Sequence, residues 1–249
     1  MLVVPTVLSV GSEAAVGAAP AFCMDRTEVT VADYWGCVER GACTPPASDV
    51  WWPNLPAADQ QFWSESCTGD REDRLDHPIN CVDWRQARDY CADLGRRLPT
   101  EVEWQWAAQG GREERAYPWG DGRPTARVVN ACEFDCLDRM REHGRDRPTL
   151  HYGEDGRAET APTGSYPAGK GRWGHDDLAG NVWEFTTSIF ADDEDVKVMR
   201  GGGWAQSQRN LIGTRYRAAF PSGARASVVG FRCVQAPTGA MGTLMAGGR

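Results

Sequence analysis

Residues 116–175 carry almost no hydrophobic periodicity of either the helical or the strand kind, while Asp, Arg and Gly recur throughout. A loop that long is uncommon in a compact domain unless it has a function or is held by something other than a layered core. The composition agrees, because 28 Gly and 11 Trp in 249 residues suit irregular backbone sealed by wide aromatic side chains better than an aliphatic core. At this length a chain hides roughly three quarters of its unfolded surface, so it can form a proper core as one large domain or two small ones.

Charge excludes some partners. The net charge of −8 repels phosphate backbones and anionic lipid surfaces, so no nucleic acid partner is expected. No run approaches the roughly 18 apolar residues of a membrane span. Nine cysteines without a Cys-x-x-Cys pair point to disulfides and an oxidising compartment, extracellular or periplasmic. Residues 1–22 end in small residues, as a signal peptide would, but lack a basic start and carry Glu13. No clear signal peptide is read there; the expectation is a strand at residues 2–10 and then a Gly/Ala loop.

Three helix starts stand out. Thr30-Val31-Ala32-Asp33 and Thr100-Glu101-Val102-Glu103 are capping boxes, and Asp83 precedes an apolar spacing of Trp84, Ala87, Cys91 and Leu94. Gly41, Gly95 and Gly110-Gly111 should end these helices. The second half reads as short strands near residues 182–187, 196–200, 215–220 and 228–234 between turn residues.

Two oxygen-rich clusters have ligand types that calcium accepts: Asn130 with residues 153–156, and the run Asp177-Leu178-Ala179-Gly180-Asn181-Val182-Trp183-Glu184. Spacing alone describes solvated turns equally well. His77, His143, His151 and His175 form no zinc pattern, and phosphate-loop, dinucleotide and nucleophile-elbow motifs are absent.

Six ordered segments carry a resemblance. They are His77-Pro78-Ile79-Asn80-Cys81-Val82-Asp83-Trp84, Arg97-Leu98-Pro99-Thr100-Glu101-Val102-Glu103-Trp104, Tyr117-Pro118-Trp119-Gly120, the Asp177 run through Phe185, Arg200-Gly201-Gly202-Gly203-Trp204 and Gly230-Phe231-Arg232-Cys233. In this order the chain resembles the formylglycine-generating enzyme, or sulfatase-modifying-factor, family. The resemblance implies an α+β fold, the family's variant of the C-type lectin-like fold, as one domain over residues 1–235 followed by a flexible tail at 236–249. It also implies two calcium sites. One would use Asn130, the carbonyl of Ala131, Asp155 and the carbonyl of Arg157; the other Asp177, the carbonyls of Gly180 and Val182, and Glu184.

The family's enzymes oxidise a sulfatase cysteine through two active-site cysteines, which the resemblance places just after Trp204. Here residues 205–217 contain no cysteine, and none lies between Cys136 and Cys233. Copper(I) chemistry requires soft thiolate ligands, so neither formylglycine-generating activity nor copper is expected. Iron is not expected either, since the three-histidine helical domain of the related sulfoxide synthases has no counterpart.

Other family members resemble variable binding proteins, whose changing positions lie between the Gly-Gly-x-Trp turn and the Gly-Phe-Arg strand. That interval, residues 204–230, offers Trp204, Gln206, Gln208, Arg209, Asn210, Arg215, Tyr216, Arg217 and Arg225. Such residues suit adaptable recognition of a protein or peptide, and equally an ordinary solvated surface. A non-catalytic recognition domain is therefore the first expectation and an oxidoreductase with another substrate the second. Glycan binding has only the fold analogy and the tryptophans behind it, and oligomeric state is not readable. The resemblance pairs Cys91 with Cys233. Cys37 with Cys43 and Cys132 with Cys136 are close enough to pair locally, Cys67 and Cys81 flank an Asp/Arg-rich loop, and Cys23 is left over.

Overall fold

Helices begin where the sequence sets its caps. In the computed structural model, which describes residues 2–4, 22–150 and 153–237, Thr30, Asp83 and Thr100 each accept a hydrogen bond from the backbone three residues on, and the side chain at that position bonds back. These caps open α1 (Val31–Glu39), α3 (Trp84–Asp93) and α4 (Glu101–Ala108). Two further helices lack such a cap: α2 (Ala57–Ser64) and α5 (Phe134–Glu142). The α5 helix corrects the expectation of an aperiodic stretch, since Leu137 and Met140 bury one face beside Cys136.

Strands form two sheets. Strand β1 (Leu2–Val4) pairs with β2 (Phe22–Met24), which pairs with β7 (Val234–Gln235). The expected strand at residues 2–10 is seen over Leu2–Val4, and the rest lies outside the described residues, as do His151 and residues 238–249. The second sheet has the order β5-β4-β3-β6, with β3 (Trp183–Phe190), β4 (Asp193–Arg200), β5 (Ala218–Pro221) and β6 (Val229–Gly230). All pairings are antiparallel except the short β3–β6 pair. No helix among the described residues is long and apolar enough to cross a membrane.

The largest core cluster lies between α1, α3 and the second sheet. There Tyr34 stacks on Tyr90 with ring centres 5.7 Å apart, and Phe231 meets both edge-on. A smaller cluster packs Trp104 of α4 against Phe22, Met24, Leu178 and Val234. The third joins Phe62, Cys136, Met140 and Trp204, tying α2 and α5 to the chain after β4. Four disulfides hold this loop-rich frame: Cys37–Cys43, Cys67–Cys81, Cys91–Cys233 and Cys132–Cys136. Cys23 is a buried free thiol.

Gly180 and Gly202 are among the glycines that close packing requires. A Cβ on Gly180, at φ 76°, would lie 2.2 Å from the Asn130 carbonyl oxygen. One on Gly202, at φ 78°, would lie 2.6 Å from Ile212. No side chain fits at such distances, so both loops depend on glycine.

Candidate functional site

The first oxygen-rich cluster forms because residues 153–159 run back over the start of α5. Oδ2 of Asp135 accepts from the amides of Asp155 and Gly156 at 3.2 and 2.9 Å, and Asn130 Nδ2 donates to the Glu159 carbonyl at 3.0 Å. This brings Asn130 and Ala131 beside the loop that carries Asp155 and Arg157. The Tyr166 hydroxyl donates to Asp155. Burial and then the neighbouring Asp155 push Glu133 up to about 9. The Asn130 Oδ1 atom is buried with no hydrogen-bond partner. A crowded carboxylate pair and an orphaned amide oxygen are the hard oxygen ligand types that a cation such as calcium accepts. A cleft of about 660 Å3 reaches Asp155, Arg157 and Tyr166 and would provide an entry path.

The second cluster lies alongside it. Asn181 Nα donates to the Asn130 carbonyl at 2.8 Å, while Asn130 Nδ2 donates to Asn181 Oδ1 at 3.0 Å. Asp177, Gly180 and Asn181 all have positive φ, so the turn folds tightly before β3. Glu184, on β3, is fully buried and held by Arg232 through two bonds of 2.7 Å, with Trp104 Nε1 donating at 2.8 Å. Burial raises Asp177 to about 6. Glu28 is 1% exposed and is pushed well above the carboxylate range by burial and then by Asp177. Three carboxylates thus share one buried guanidinium, and Glu28 Oε1 lacks a partner. The charge fits a cation, although Arg232 already engages both oxygens of Glu184. Among the described residues no three His, Cys, Asp or Glu side chains form a ready metal cage. Any ion would rely on amide and carbonyl oxygens as well.

Residues 204–230 divide sharply. Trp204 is 1% exposed and donates through Nε1 to the Ser227 carbonyl at 3.1 Å. It therefore supports the surface from beneath instead of presenting itself there. Arg215, Arg217 and Arg225 are tied to Glu114, Glu101 and Asp49 at 2.9, 2.7 and 2.9 Å. Tyr216 packs at the edge of the main core near Trp183. Gln208, Arg209 and Asn210 are exposed on a 3-10 turn. Gln206 instead lines a cleft of about 200 Å3 with Trp52, Trp63, Arg147, Ala205 and Val228.

Sequence reasoning missed Glu28, Glu133, Trp52, Trp63 and Arg147. They are single residues with no local pattern, recruited from distant segments. The sixth motif, Gly230-Phe231-Arg232-Cys233, held the one usable signal: a buried arginine requires buried acids.

The sequence model of the sulfatase-modifying factor enzyme 1-like domain matches residues 11–237. The chain is 34% identical to inactive C-alpha-formylglycine-generating enzyme 2 of Bos taurus over 193 residues, covering 74% of this chain and 58% of that protein. It is 33% identical to the formylglycine-generating enzyme of Streptomyces coelicolor over 207 residues, 75% of this chain and 61% of that one. It thus spans about three fifths of the length of these curated relatives. Among solved structures, Treponema denticola variable protein 1 superposes with a TM-score of 0.58 at 20% identity, covering 87% of this chain and 85% of that one. The fold is accordingly the C-type lectin-like variant, and with nearly the whole described chain inside the matching region, the chain belongs to the sulfatase-modifying factor enzyme 1-like family.

Proposed function

We propose that this chain is a non-catalytic, calcium-stabilised recognition domain that binds a protein or peptide through the surface built by residues 204–230. The observation that carries the reading is the cleft beside the Gly201-Gly202-Gly203 turn. The resemblance places the family's redox cysteines in the segment after Trp204, where residues 205–217 hold none, and the first two residues of that segment, Ala205 and Gln206, wall an apolar cavity with Trp52 and Trp63. A tryptophan-lined hollow suits an anchoring side chain, and the exposed Gln208, Arg209 and Asn210 further along the same segment suit adaptable polar contacts. Likeness to an inactive formylglycine-generating enzyme 2 and to a variable protein supports the same reading. Four disulfides fit an extracellular or periplasmic place of action.

The test is selection from a random peptide display library on the full chain. Enriched peptides should lose at least tenfold in affinity for the Gln206→Arg variant, whose long side chain fills the cleft. Unchanged affinity would move the binding surface elsewhere. The rival reading is an oxidoreductase, favoured by the 33% identity to a formylglycine-generating enzyme. Stoichiometric copper or iron in the purified protein, with oxygen consumption, would establish that one instead.

Calcium at the two clusters is part of the proposal. Asn130, Asp155 and the carbonyls of Ala131 and Arg157 would hold one ion. Asp177, Glu184 and the carbonyls of Gly180 and Val182 would hold the other, with Glu28 adding charge. Saturating calcium at 100 times its dissociation constant stabilises a folded state by about 2.7 kcal/mol per site. A chelator should therefore lower the melting temperature by several degrees, and calcium but not magnesium should restore it. A melting transition indifferent to chelator would leave both clusters as hydrogen-bonded turns.

A further inference from the structure

A separate cleft, of about 490 Å3, opens between the 3-10 turn Glu72–Arg74, α5 and residues 156–160. Arg71, Arg74, Arg139 and Arg157 line it, together with Asp73 and Glu159. Four guanidiniums therefore face two carboxylates, on a chain whose net charge is −8. Like charges are not gathered in one hollow without a compensating anion.

The internal anions are already fully engaged. Glu159 contacts Arg71 at 3.1 Å, Arg74 at 3.7 Å and Arg139 at 3.0 Å, and it accepts a bond from Ser66 at 2.8 Å. Asp73 is 65% exposed and reaches Arg71 at 3.2 Å from the rim. It lies 3.3 Å from Arg74 Nε but without hydrogen-bond alignment, since that nitrogen is buried and unpartnered. Arg139 Nη1 is likewise buried without a partner. Arg157 makes no ion pair with an acid among the described residues. Buried guanidinium N–H groups left without acceptors cost stability, and arginine forks match tetrahedral oxyanions in both charge and shape.

His77 closes one wall, with Nδ1 2.9 Å from Thr160 Oγ1. Burial and then Arg74 hold it down to about 4, so it is neutral at physiological pH. The positive charge of the cleft is thus the arginines' and does not change around neutrality.

We propose that this cleft binds a tetrahedral dianion, a phosphate or sulfate group, as the free ion or as a small monoester. Arg157 and Arg139 would supply the donors that Glu159 leaves unused. The proposal is independent of the recognition surface, since the two clefts share no residue.

Calorimetric titration of the full chain with sodium phosphate and, separately, sodium sulfate at constant ionic strength tests it. One saturable site is expected for at least one of the two ions and none for chloride. Arg157→Gln, which keeps the backbone carbonyl assigned to calcium, should weaken binding about tenfold, with an unchanged melting temperature in calcium separating loss of the guanidinium from loss of the calcium loop. Glu159→Gln, which removes the competing internal anion, should tighten binding by a similar factor. A phenyl monoester that binds as tightly as the free ion would assign the cleft to esters; binding of the free ion alone would assign it to the inorganic species. The idea fails if neither ion gives saturable binding, or if both variants bind as the unaltered chain does.

Discussion

Replacing Arg232 by methionine is expected to destabilise the calcium-free chain, in excess chelator, by about 3–5 kcal/mol, read as a shift of the urea unfolding midpoint. The guanidinium is fully buried, donates twice to Glu184, and reaches the carbonyls of Asp25, Arg26 and Asp176 at 3.2, 3.0 and 3.0 Å. Methionine keeps most of the apolar volume but removes the one cation that Glu28, Asp177 and Glu184 share. Uncompensated buried carboxylates must then protonate or unfold the site. The double variant Arg232→Met with Glu184→Met should cost less than the single one, because an apolar pair replaces an ion pair and leaves fewer charges stranded. A single-variant loss below about 1 kcal/mol in excess chelator would mean that the carboxylates are already neutral.

Removing the Cys91–Cys233 bridge by serine at both positions is expected to cost up to about 5 kcal/mol, the largest loss among the four disulfides. The bridge joins α3 to the segment between β6 and β7 across a sequence separation of 142 residues. Loop entropy makes such a link worth more than Cys37–Cys43 or Cys132–Cys136, whose separations of 6 and 4 give about 2 kcal/mol each. Cys67–Cys81, at 14, falls between them at about 3 kcal/mol. Serine pairs made one bridge at a time and compared by urea unfolding should follow that order. Equal losses across the four would show that strain or residual structure in the unfolded chain outweighs loop length.

Much of the frame is written locally. Thr30, Asp83 and Thr100 announce their helices because a cap and its return bond lie within four residues, whereas the need for glycine at 180 and 202 comes from the distant Asn130 carbonyl and Ile212. The α5 helix was harder to see. Its apolar positions follow helical spacing, but Glu133 gives no side-chain cap and charged residues dominate the rest. For the site, Asn130, Asp155, Asp177 and Glu184 could be named because each sits in a recognisable run. The exposure of Trp204 could not: tryptophan suits a binding surface and a core equally, and only the packing of Trp63 and the Ser227 carbonyl against it decides for burial.

By itself, then, the sequence determined the family, the fold class, the three capped helix starts and the lack of cysteines between Cys136 and Cys233. Those depend on short-range geometry or on residue identity alone. The tertiary structure decided which charges meet. Glu28 joins Asp177 and Glu184 around Arg232, Trp52 and Trp63 close a cleft on Gln206, and three arginines converge on Glu159 with Arg157 lining the same cleft. The physical reason is that burial and charge compensation depend on distance in space, and in a loop-rich fold neighbours in space are seldom neighbours along the chain.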